Sequence, residues 1–167
     1  RYLLSRGGAT FLEGGNARRG PRMPEGLPLW KPPYSRMTAI DMNTGDHAWM
    51  TPTGAGDRIR NHPRLRDLDL PPLGHRGRAQ PLVTKTLLFV TDGSKDMIAV
   101  PPGGGGRSIR ALDKKTGEVV WEKELPAGNT GSLMSYESGG EQYIVVPVGE
   151  SGYQGALIAL KVKEGTI

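Results

Sequence analysis

A thirteen-residue pattern occurs twice in this chain and limits what the chain can fold into. The first copy, MTAIDMNTGDHAW, runs from Met37 to Trp49, and the second, IRALDKKTGEVVW, runs from Ile109 to Trp121. Both contain Ala-x-Asp-x-x-Thr-Gly-x-x-x-Trp, with the same spacing throughout. An internal repeat of this kind predicts a structural unit that the fold uses more than once.

Each copy has the pattern of a β-hairpin. In the second copy, the residues from Ile109 to Asp113 alternate between the two sides of a strand. Lys114 to Gly117 then forms the turn, in which Gly117 can adopt a positive φ and Asp113 can cap the turn backbone. Glu118 to Trp121 is rich in β-branched and aromatic residues and is predicted to be the return strand.

The terminal tryptophan of each copy needs a partner outside its own hairpin. Burying one tryptophan removes about 150 to 250 Å² from water, worth roughly 4 to 6 kcal/mol as an upper bound. A single hairpin does not offer that much contact surface. We therefore expect Trp49 and Trp121 to pack on neighbouring copies of the repeat.

A third, shortened copy fixes the length of the repeat. It runs from Ala156 to Gly165 and places Ala159 at the position of Ala111. Ala111 and Ala159 are 48 positions apart, whereas Ala39 and Ala111 are 72 positions apart. The surplus of 24 falls in Thr51 to Gln80, so the sequence predicts a repeat of about 48 residues with one insertion.

The segments between the copies complete this pattern. Pro81 to Thr91 is predicted to form two short strands, and Leu133 to Pro147 a strand, a glycine turn and a second strand. Gly149 to Gly155 is predicted to be a loop. Residues 1–26 show no period and are expected to be an irregular opening segment. The insertion at 51–80 is too long for a compact connection, so it is expected to be a functional or a disordered loop.

Four short strands in about 48 residues are what one blade of a β-propeller requires. The 25 glycines and 14 prolines among 167 residues also favour short strands joined by turns. We therefore expect an all-β fold in which residues 27–167 form about two and a half four-stranded blades. Propellers close with roughly four to eight blades, so the chain is expected to be a piece of a larger ring or a module that assembles with others.

Composition excludes several kinds of site. The chain has no cysteine, which rules out disulfides, thiolate catalysis and cysteine zinc sites within it. It shows no signal-peptide pattern and no apolar run near 18 residues. The chain is expected to be soluble as given and to be cut from something larger.

The net charge of +5 raises the question of an anionic partner. The insertion contains aspartates and has no aromatic residue for base stacking, so we expect no nucleic acid partner and favour a solvated loop. The mouth of a substrate or cofactor site is the second choice. The basic side chains concerned are Arg58, Arg60, Arg64, Arg66, Arg76 and Arg78, with His62 and His75.

The repeated motif resembles the tryptophan-docking motif of the PQQ-dependent quinoprotein dehydrogenases, whose eight-bladed propellers repeat it around the ring. Further segments are similar to the last blades of the membrane glucose dehydrogenase branch of that family. These segments are Trp30 to Trp49, Gly74 to Gly93 (GHRGRAQPLVTKTLLFVTDG), Leu125 to Gly149 and the closing GALIALKV. The resemblance covers nearly everything from about Gly26 onward.

The resemblance implies the C-terminal portion of a periplasmic enzyme that oxidises an aldose sugar or an alcohol. Such an enzyme passes electrons to PQQ, held beside Ca²⁺ or Mg²⁺, and on to a quinone or cytochrome acceptor. Membrane attachment, where it exists, would come from a segment outside this chain. The family's catalytic base and metal ligands lie in earlier blades. We therefore assign no catalytic residue and no metal ligand here, and we expect the chain alone to be inactive.

Two loops are expected to lead to innermost strands and to form the far wall of the central pocket. They are Arg76 to Pro81 and Gly149 to Gly152. PQQ is a tricarboxylate, and arginine pairs with carboxylates through charge-assisted bidentate hydrogen bonds, so Arg76 or Arg78 is expected to face the cofactor. The candidate cofactor-binding residues are Arg76, Arg78, Gln80, Gly149, Glu150 and Ser151.

A second interpretation belongs to a different functional class. Non-catalytic propellers that scaffold outer-membrane assembly share this repeat without a cofactor. The 24-residue insertion and the PPYSRMTAID stretch favour the enzyme, because a scaffold needs neither.

Overall fold

The computed structural model of the chain describes residues 23–75, 77, 80–95 and 105–161. Within them the chain forms nine strands in three antiparallel sheets, together with one short helix and one 3-10 turn (Pro24–Gly26). The elements are β1 (Arg36–Ile40), β2 (His47–Pro52), α1 (Asp57–Arg60), β3 (Leu82–Val83), β4 (Leu87–Thr91), β5 (Ser108–Asp113), β6 (Val119–Glu124), β7 (Met134–Ser138), β8 (Glu141–Glu150) and β9 (Tyr153–Lys161). The all-β prediction is confirmed.

The two copies of the repeat are hairpins with the same register. Ala39 of β1 lies opposite Trp49 of β2, and Ala111 of β5 lies opposite Trp121 of β6. The register shifts immediately after the alanine in both hairpins. Such a bulge increases the local twist of the strand pair. The shared sequence spacing therefore corresponds to one shared backbone geometry.

The turn of the second hairpin is capped as its sequence predicts. The Oδ1 atom of Asp113 accepts hydrogen bonds from the backbone N–H groups of Lys115 at 2.7 Å and Thr116 at 3.0 Å. Gly117 has φ +76°, and the equivalent Gly45 of the first hairpin has φ +80°. Glycine adopts this left-handed conformation without the steric cost that a side chain brings.

The sheets follow chain order. They are β1-β2, β3-β4-β5-β6 and β7-β8-β9. Ala111 lies opposite Phe89 of β4, and Ala159 lies opposite Val145 of β8, so the third copy occupies the equivalent position in its sheet. The expected equivalence of Gly165 with Gly117 lies outside the described residues.

The two middle strands of the second sheet, β4 and β5, are covered on both faces. Phe89 points into the larger core, which it shares with Ile109 and with Ile144, Val146 and Val148 of β8. Its neighbours in β4 alternate to the other side, as strand geometry requires. There Leu88, Val90 and Leu112 form a smaller core that also contacts Met37 and Trp49 of the first hairpin.

Trp49 packs on the neighbouring copy, as expected. Its indole Nε1 donates a hydrogen bond of 3.0 Å to the backbone carbonyl of Lys114, in the turn of the second hairpin. The ring lies against Gly117, where an added Cβ would come within 2.5 Å of Cε3. Trp121 is only partly covered, and the turn of the third copy falls in residues 162–167, outside the described residues.

The insertion closes on itself at its base. The backbone N–H groups of Leu73, Gly74 and His75 donate to the carbonyls of residues 55, 54 and 53 at 2.9 to 3.1 Å. Farther out, Arg64 binds Glu25 through two nitrogen atoms, at 2.5 and 2.8 Å. The alternative of a disordered loop is therefore wrong for residues 51–75.

The predicted loop from Gly149 to Gly155 is also wrong. β8 continues through Glu150 and β9 begins at Tyr153, so only Ser151 and Gly152 form the turn. This turn joins the second and third strands of its sheet, and its expected place beside an innermost strand stays a prediction. β8 extends because its register with β9 persists to the Glu150–Tyr153 pair. The predicted boundary at residues 26 and 27 stays a prediction, since residues 1–22 are outside the description.

Candidate functional site

Four connections lie at one end of the sheets. Because successive strands are antiparallel, the connections β2–β3, β4–β5, β6–β7 and β8–β9 emerge on the same side. Backbone hydrogen bonds join them there: Ser94 N–H donates to the Asn129 carbonyl at 2.6 Å, and Gly149 N–H donates to the Gly128 carbonyl at 3.0 Å. We call this side the loop face.

A buried carboxylate lies at the point where β4 meets the loop face. The Oδ1 atom of Asp92 accepts a hydrogen bond of 2.6 Å from Arg110 and lies 3.3 Å from His75 Nε2. The Oδ2 atom accepts from the backbone N–H of Ser108 at 3.3 Å. Burial raises the pKa of Asp92, but the hydrogen bonds from His75 and Arg110 outweigh it and leave the pKa below its ordinary value.

The strand register explains how Arg110 reaches both of its partners. Arg110 lies opposite Glu122 in the β5–β6 ladder, and its Nη2 atom is 2.8 Å from Glu122 Oε1. The second terminal nitrogen, Nη1, pairs with the Oδ1 atom of Asp92. Asp92 thus links the insertion, through His75, to the second sheet, through Arg110.

A second buried carboxylate belongs to Glu150, at the end of β8. Its Oε2 atom accepts from Arg107 Nε at 3.2 Å and from Gly128 N–H at 3.3 Å. Its Oε1 atom pairs with Arg107 Nη2 and lies 3.4 Å from Lys95 Nζ. The Arg107 hydrogen bond is the main reason that the pKa of Glu150 falls to about 2. Both carboxylate oxygens are therefore occupied by protein groups.

A buried amide ties the same connections together. The Oδ1 atom of Asn129 accepts from Thr91 Oγ1 at 3.0 Å, and its Nδ2 donates to the Pro147 carbonyl at 3.0 Å. Asn129 is 1% exposed. Because unpaired buried polar groups are costly, this fully bonded amide fixes the relative positions of β4, β8 and the β6–β7 connection.

A cavity of about 190 Å³ opens between the insertion and the β4–β5 connection. Among the described lining residues three arginines stand against two carboxylates, a positive balance before Glu150 and Glu122, the partners of Arg107 and Arg110 outside the lining, are counted. Such a lining can attract an anionic group and bind it through charge-assisted hydrogen bonds. The charged and imidazole side chains in the lining are Asp57, Arg58, His75, Asp92, Arg107 and Arg110.

The structure places some of the predicted cofactor residues and leaves others undescribed. Arg76 and Arg78 lie outside the described residues. Gln80 is half-buried and directly precedes Pro81 and β3. Gly149 and Glu150 are the last two residues of β8, and Ser151 begins the turn. At this position Glu150 forms the ion pairs given above. Their contact with a cofactor stays a prediction.

The sequence analysis missed the residues that surround these carboxylates. Two signals could have indicated them. Asp92 directly follows the buried strand LLFVT, and Arg110 lies between the buried apolar residues Ile109 and Ala111. A charged residue in such a position needs a partner, which points to an ion pair. Nothing in the spacing of Lys95 or Arg107 indicated Glu150 as their partner.

No three histidine, aspartate or glutamate side chains in the described part of the chain come together as a metal-binding group. No helix among the described residues is long and apolar enough to cross a membrane.

Comparison with known proteins identifies the family. The sequence model described as PQQ: Glucose/ethanol/alcohol dehydrogenase, beta-propeller domain, matches residues 13–144. Quinate/shikimate dehydrogenase (quinone) from Acinetobacter baylyi is 33% identical over 126 residues, covering 74% of this chain and 14% of the relative. The glycerol dehydrogenase large subunit of Gluconobacter thailandicus is 32% identical over 126 residues, covering 74% and 15%.

A glucose enzyme is also similar. The quinoprotein glucose dehydrogenase of Escherichia coli is 28% identical over 134 residues, covering 77% of this chain and 15% of the relative. The chain therefore spans 14–15% of the length of these curated relatives. The family model covers most of the chain and agrees with the antiparallel four-stranded sheet and the docked tryptophan. The chain belongs to the family of PQQ-dependent glucose, ethanol and alcohol dehydrogenase β-propeller domains.

Proposed function

We propose that this chain is the C-terminal part of a PQQ-dependent dehydrogenase that oxidises a hydroxyl group of a sugar or polyol. The observation that carries the proposal is the positively charged cavity on the loop face of a propeller of this family. Bound PQQ supplies the redox chemistry by accepting two electrons and two protons from the substrate. The names of the relatives, which include quinate, glycerol and glucose dehydrogenases, support this substrate class.

The described residues fit a carboxylate-bearing group at the rim of a larger chamber. The cavity, at about 190 Å³, is smaller than the 300 to 1,000 Å³ typical of a whole ligand of that size. It can therefore accommodate only one edge of such a molecule. Arg58 and Arg107 line it and suit the carboxylates of PQQ or of a substrate.

This part of the chain would contribute positioning rather than bond-making chemistry. Asp92 holds Arg110, and Glu150 holds Arg107, so both guanidinium groups are fixed before any ligand arrives. Pre-organised charges reduce the ordering cost of binding. The catalytic base and the Ca²⁺ or Mg²⁺ ligands are proposed to lie in other blades of the parent enzyme, and the chain alone to be inactive.

The predicted cofactor contacts remain part of this proposal. Arg76 and Arg78 precede β3 in the sequence and are proposed to approach a PQQ carboxylate. Gln80, Gly149 and Ser151 would line the same chamber. Glu150 would act through Arg107, because its own oxygens already accept hydrogen bonds from the protein.

The electron acceptor and the location are part of the same proposal. We infer that electrons leave PQQ for a quinone or cytochrome acceptor, and that the parent enzyme works in the periplasm. Attachment to the membrane would use a segment outside this chain. We propose no nucleic acid partner, since the basic insertion also carries Asp57, Asp67 and Asp69.

The test uses the full-length parent protein, purified without cofactor. PQQ is titrated in the presence of Ca²⁺ and followed by tryptophan fluorescence, and dye reduction is then measured with glucose, glycerol and quinate. We expect saturable PQQ binding and oxidation of at least one substrate. A parent that binds no PQQ would instead favour the scaffold interpretation.

A matched pair of variants tests the predicted cofactor arginine. Arg78→Ala should weaken PQQ binding about tenfold or more, as expected for the loss of a charged hydrogen bond. Arg66→Ala changes an exposed arginine of the insertion and serves as the control. Equal PQQ affinity in the two variants would remove Arg78 from the cofactor site.

A further inference from the structure

We propose that Lys95 and Arg107, held together by the buried carboxylate of Glu150, form a binding site for the carboxylate of a ligand. This inference rests on the proposed function and specifies one part of its site. The two cations come from the β4–β5 connection and the anion from β8, so the site joins two sheets of the propeller.

The charges do not balance within this cluster. Lys95 and Arg107 both pair with Glu150, so two positive groups share one negative group. Glu150 stays ionised at neutral pH because the Arg107 hydrogen bond holds its pKa at about 2. Glu124 also acts on Arg107 through its charge, but among the described ion pairs of the cluster two cations share one anion, which leaves room for a second carboxylate.

Exposure shows which groups can reach a ligand. The Glu150 side chain is 3% exposed, whereas the side chains of Lys95 and Arg107 are 57% and 42% exposed. The anion is therefore the buried anchor, and the cations are presented outward. An ordinary exposed ion pair differs, because both of its partners are solvated and the pair contributes little to stability.

The guanidinium group retains donors for a second anion. Arginine carries five N–H donors, and the recorded contacts of Arg107 with Glu150 use Nε and Nη2. The same side chain lines the cavity beside Arg58, so a ligand in the cavity can contact Arg107 without displacing Glu150. Lys95 is not itself a lining residue of the cavity, and its flexible stem would have to carry the ammonium group from Glu150 toward the same carboxylate.

Two ligands of the proposed enzyme could supply this carboxylate. One is PQQ, which carries three carboxylates, and the other is a substrate that is both a polyol and an acid. The name of the Acinetobacter baylyi relative, quinate/shikimate dehydrogenase, gives quinate as a probe of the second kind. Glycerol, named by another relative, is a polyol without a carboxylate and gives the matched neutral probe.

The experiment compares Lys95→Gln and Arg107→Gln with the wild type in the full-length holoenzyme. PQQ affinity is measured by fluorescence titration without substrate, and KM is measured separately for quinate and glycerol. If the cofactor is the ligand, PQQ binding weakens about tenfold or more in both variants. If the substrate is the ligand, KM for quinate rises by a similar factor while KM for glycerol and PQQ affinity stay unchanged.

Control variants keep the result interpretable. Lys115→Gln removes an exposed lysine from a hairpin turn, and Arg66→Gln removes an exposed arginine from the insertion. Both should behave as the wild type does. Lys95→Gln changes the more exposed cation, so it tests the site even where Arg107→Gln prevents folding.

Two results would overturn the inference. One is unchanged PQQ affinity and unchanged KM for quinate in Lys95→Gln. The other is an equal rise of KM for quinate and glycerol, because that would show a loss that does not depend on the carboxylate. The wild-type protein tests the proposed function separately. If that function is wrong, the wild type binds no PQQ and reduces no dye with any of the substrates. This inference would then be wrong as well.

Discussion

The indole N–H of Trp49 donates to the carbonyl of Lys114 and thereby joins the first hairpin to the turn of the second. The two residues are 65 positions apart in the chain. The ring also covers Gly117 and contacts the small core of Leu88, Val90 and Leu112. One side chain thus supplies both apolar contact and a directed hydrogen bond between neighbouring sheets.

Substitution of Trp49 should separate these two contributions. Trp49→Phe removes the hydrogen bond and should lower the free energy of unfolding by about 1 kcal/mol. Trp49→Ala also removes the ring and should lower it by roughly 3 kcal/mol. Urea unfolding measures both. Trp30→Ala is the control, since Trp30 is 68% exposed and its loss should change stability by less than about 0.5 kcal/mol.

The two turn glycines should respond differently to alanine. Both have positive φ, so each alanine should cost roughly 1 to 2 kcal/mol in backbone strain. At Gly117 the added Cβ would also come within 2.6 Å of Trp49 Cδ2, whereas at Gly45 it meets nothing within 4 Å. Gly117→Ala should therefore be more destabilising than Gly45→Ala, by roughly 1 to 3 kcal/mol.

A double-mutant cycle checks the cause of that difference. In a Trp49→Ala background the space beside Gly117 is open, so the excess cost of Gly117→Ala should disappear. An excess that persists without the ring would contradict the docking interpretation.

Asn129→Ala should destabilise the loop face. It leaves the buried hydroxyl of Thr91 without its acceptor, whereas the Pro147 carbonyl still accepts from the Thr130 N–H, so the loss should be about 1 to 2 kcal/mol. Thermal or urea unfolding measures the loss. Asn43→Ala, in an exposed turn, is the matched control and should cost far less. Equal losses in the two variants would show that the buried amide has no special role.

Acid should weaken the ion pairs of the loop face. The pKa of Glu150 is lowered from 4.5 to about 2, and that of Asp92 is also lowered. A depressed pKa in the folded state means that the unfolded chain binds the proton more readily. The stabilisation by Glu150 is therefore complete above pH 4.5 and is lost as the pH falls toward about 2.

Unfolding midpoints measured at several pH values between 2 and 7 test this dependence. Glu150→Gln cannot ionise, so its stability should fall less steeply than that of the wild type between pH 4.5 and 2. Glu118→Gln, in an exposed turn, should retain the wild-type slope. A Glu150→Gln profile parallel to the wild type would contradict the assignment.

Much of the fold was predictable because the signals were local. Alternation, turn glycines and the alanine-to-tryptophan spacing predicted both hairpins, and the third copy placed Ala159 at its observed register. The closed base of the insertion was not predictable in this way. It consists of backbone hydrogen bonds between residues 53–55 and 73–75, which any residue types could form.

The candidate site was predicted only in part, because its contacts join residues that are far apart in the chain. Glu150 was singled out from its position in a glycine-rich turn, but its partner Arg107 lies 43 residues earlier in the chain. No local pattern connects two such residues. Their meeting depends on how the second and third sheets pack, which a single sequence does not specify.

The closed base of the insertion has a consequence for how this chain can vary. Because residues 53–55 are bonded to residues 73–75, the two ends of the insertion are held together whatever lies between them. Loops tolerate changes of length at small entropic cost when their ends are already held together. Residues 56–72 can therefore change in sequence and in length without altering the register of any sheet. Such changes would alter the side chains that the insertion presents at the cavity.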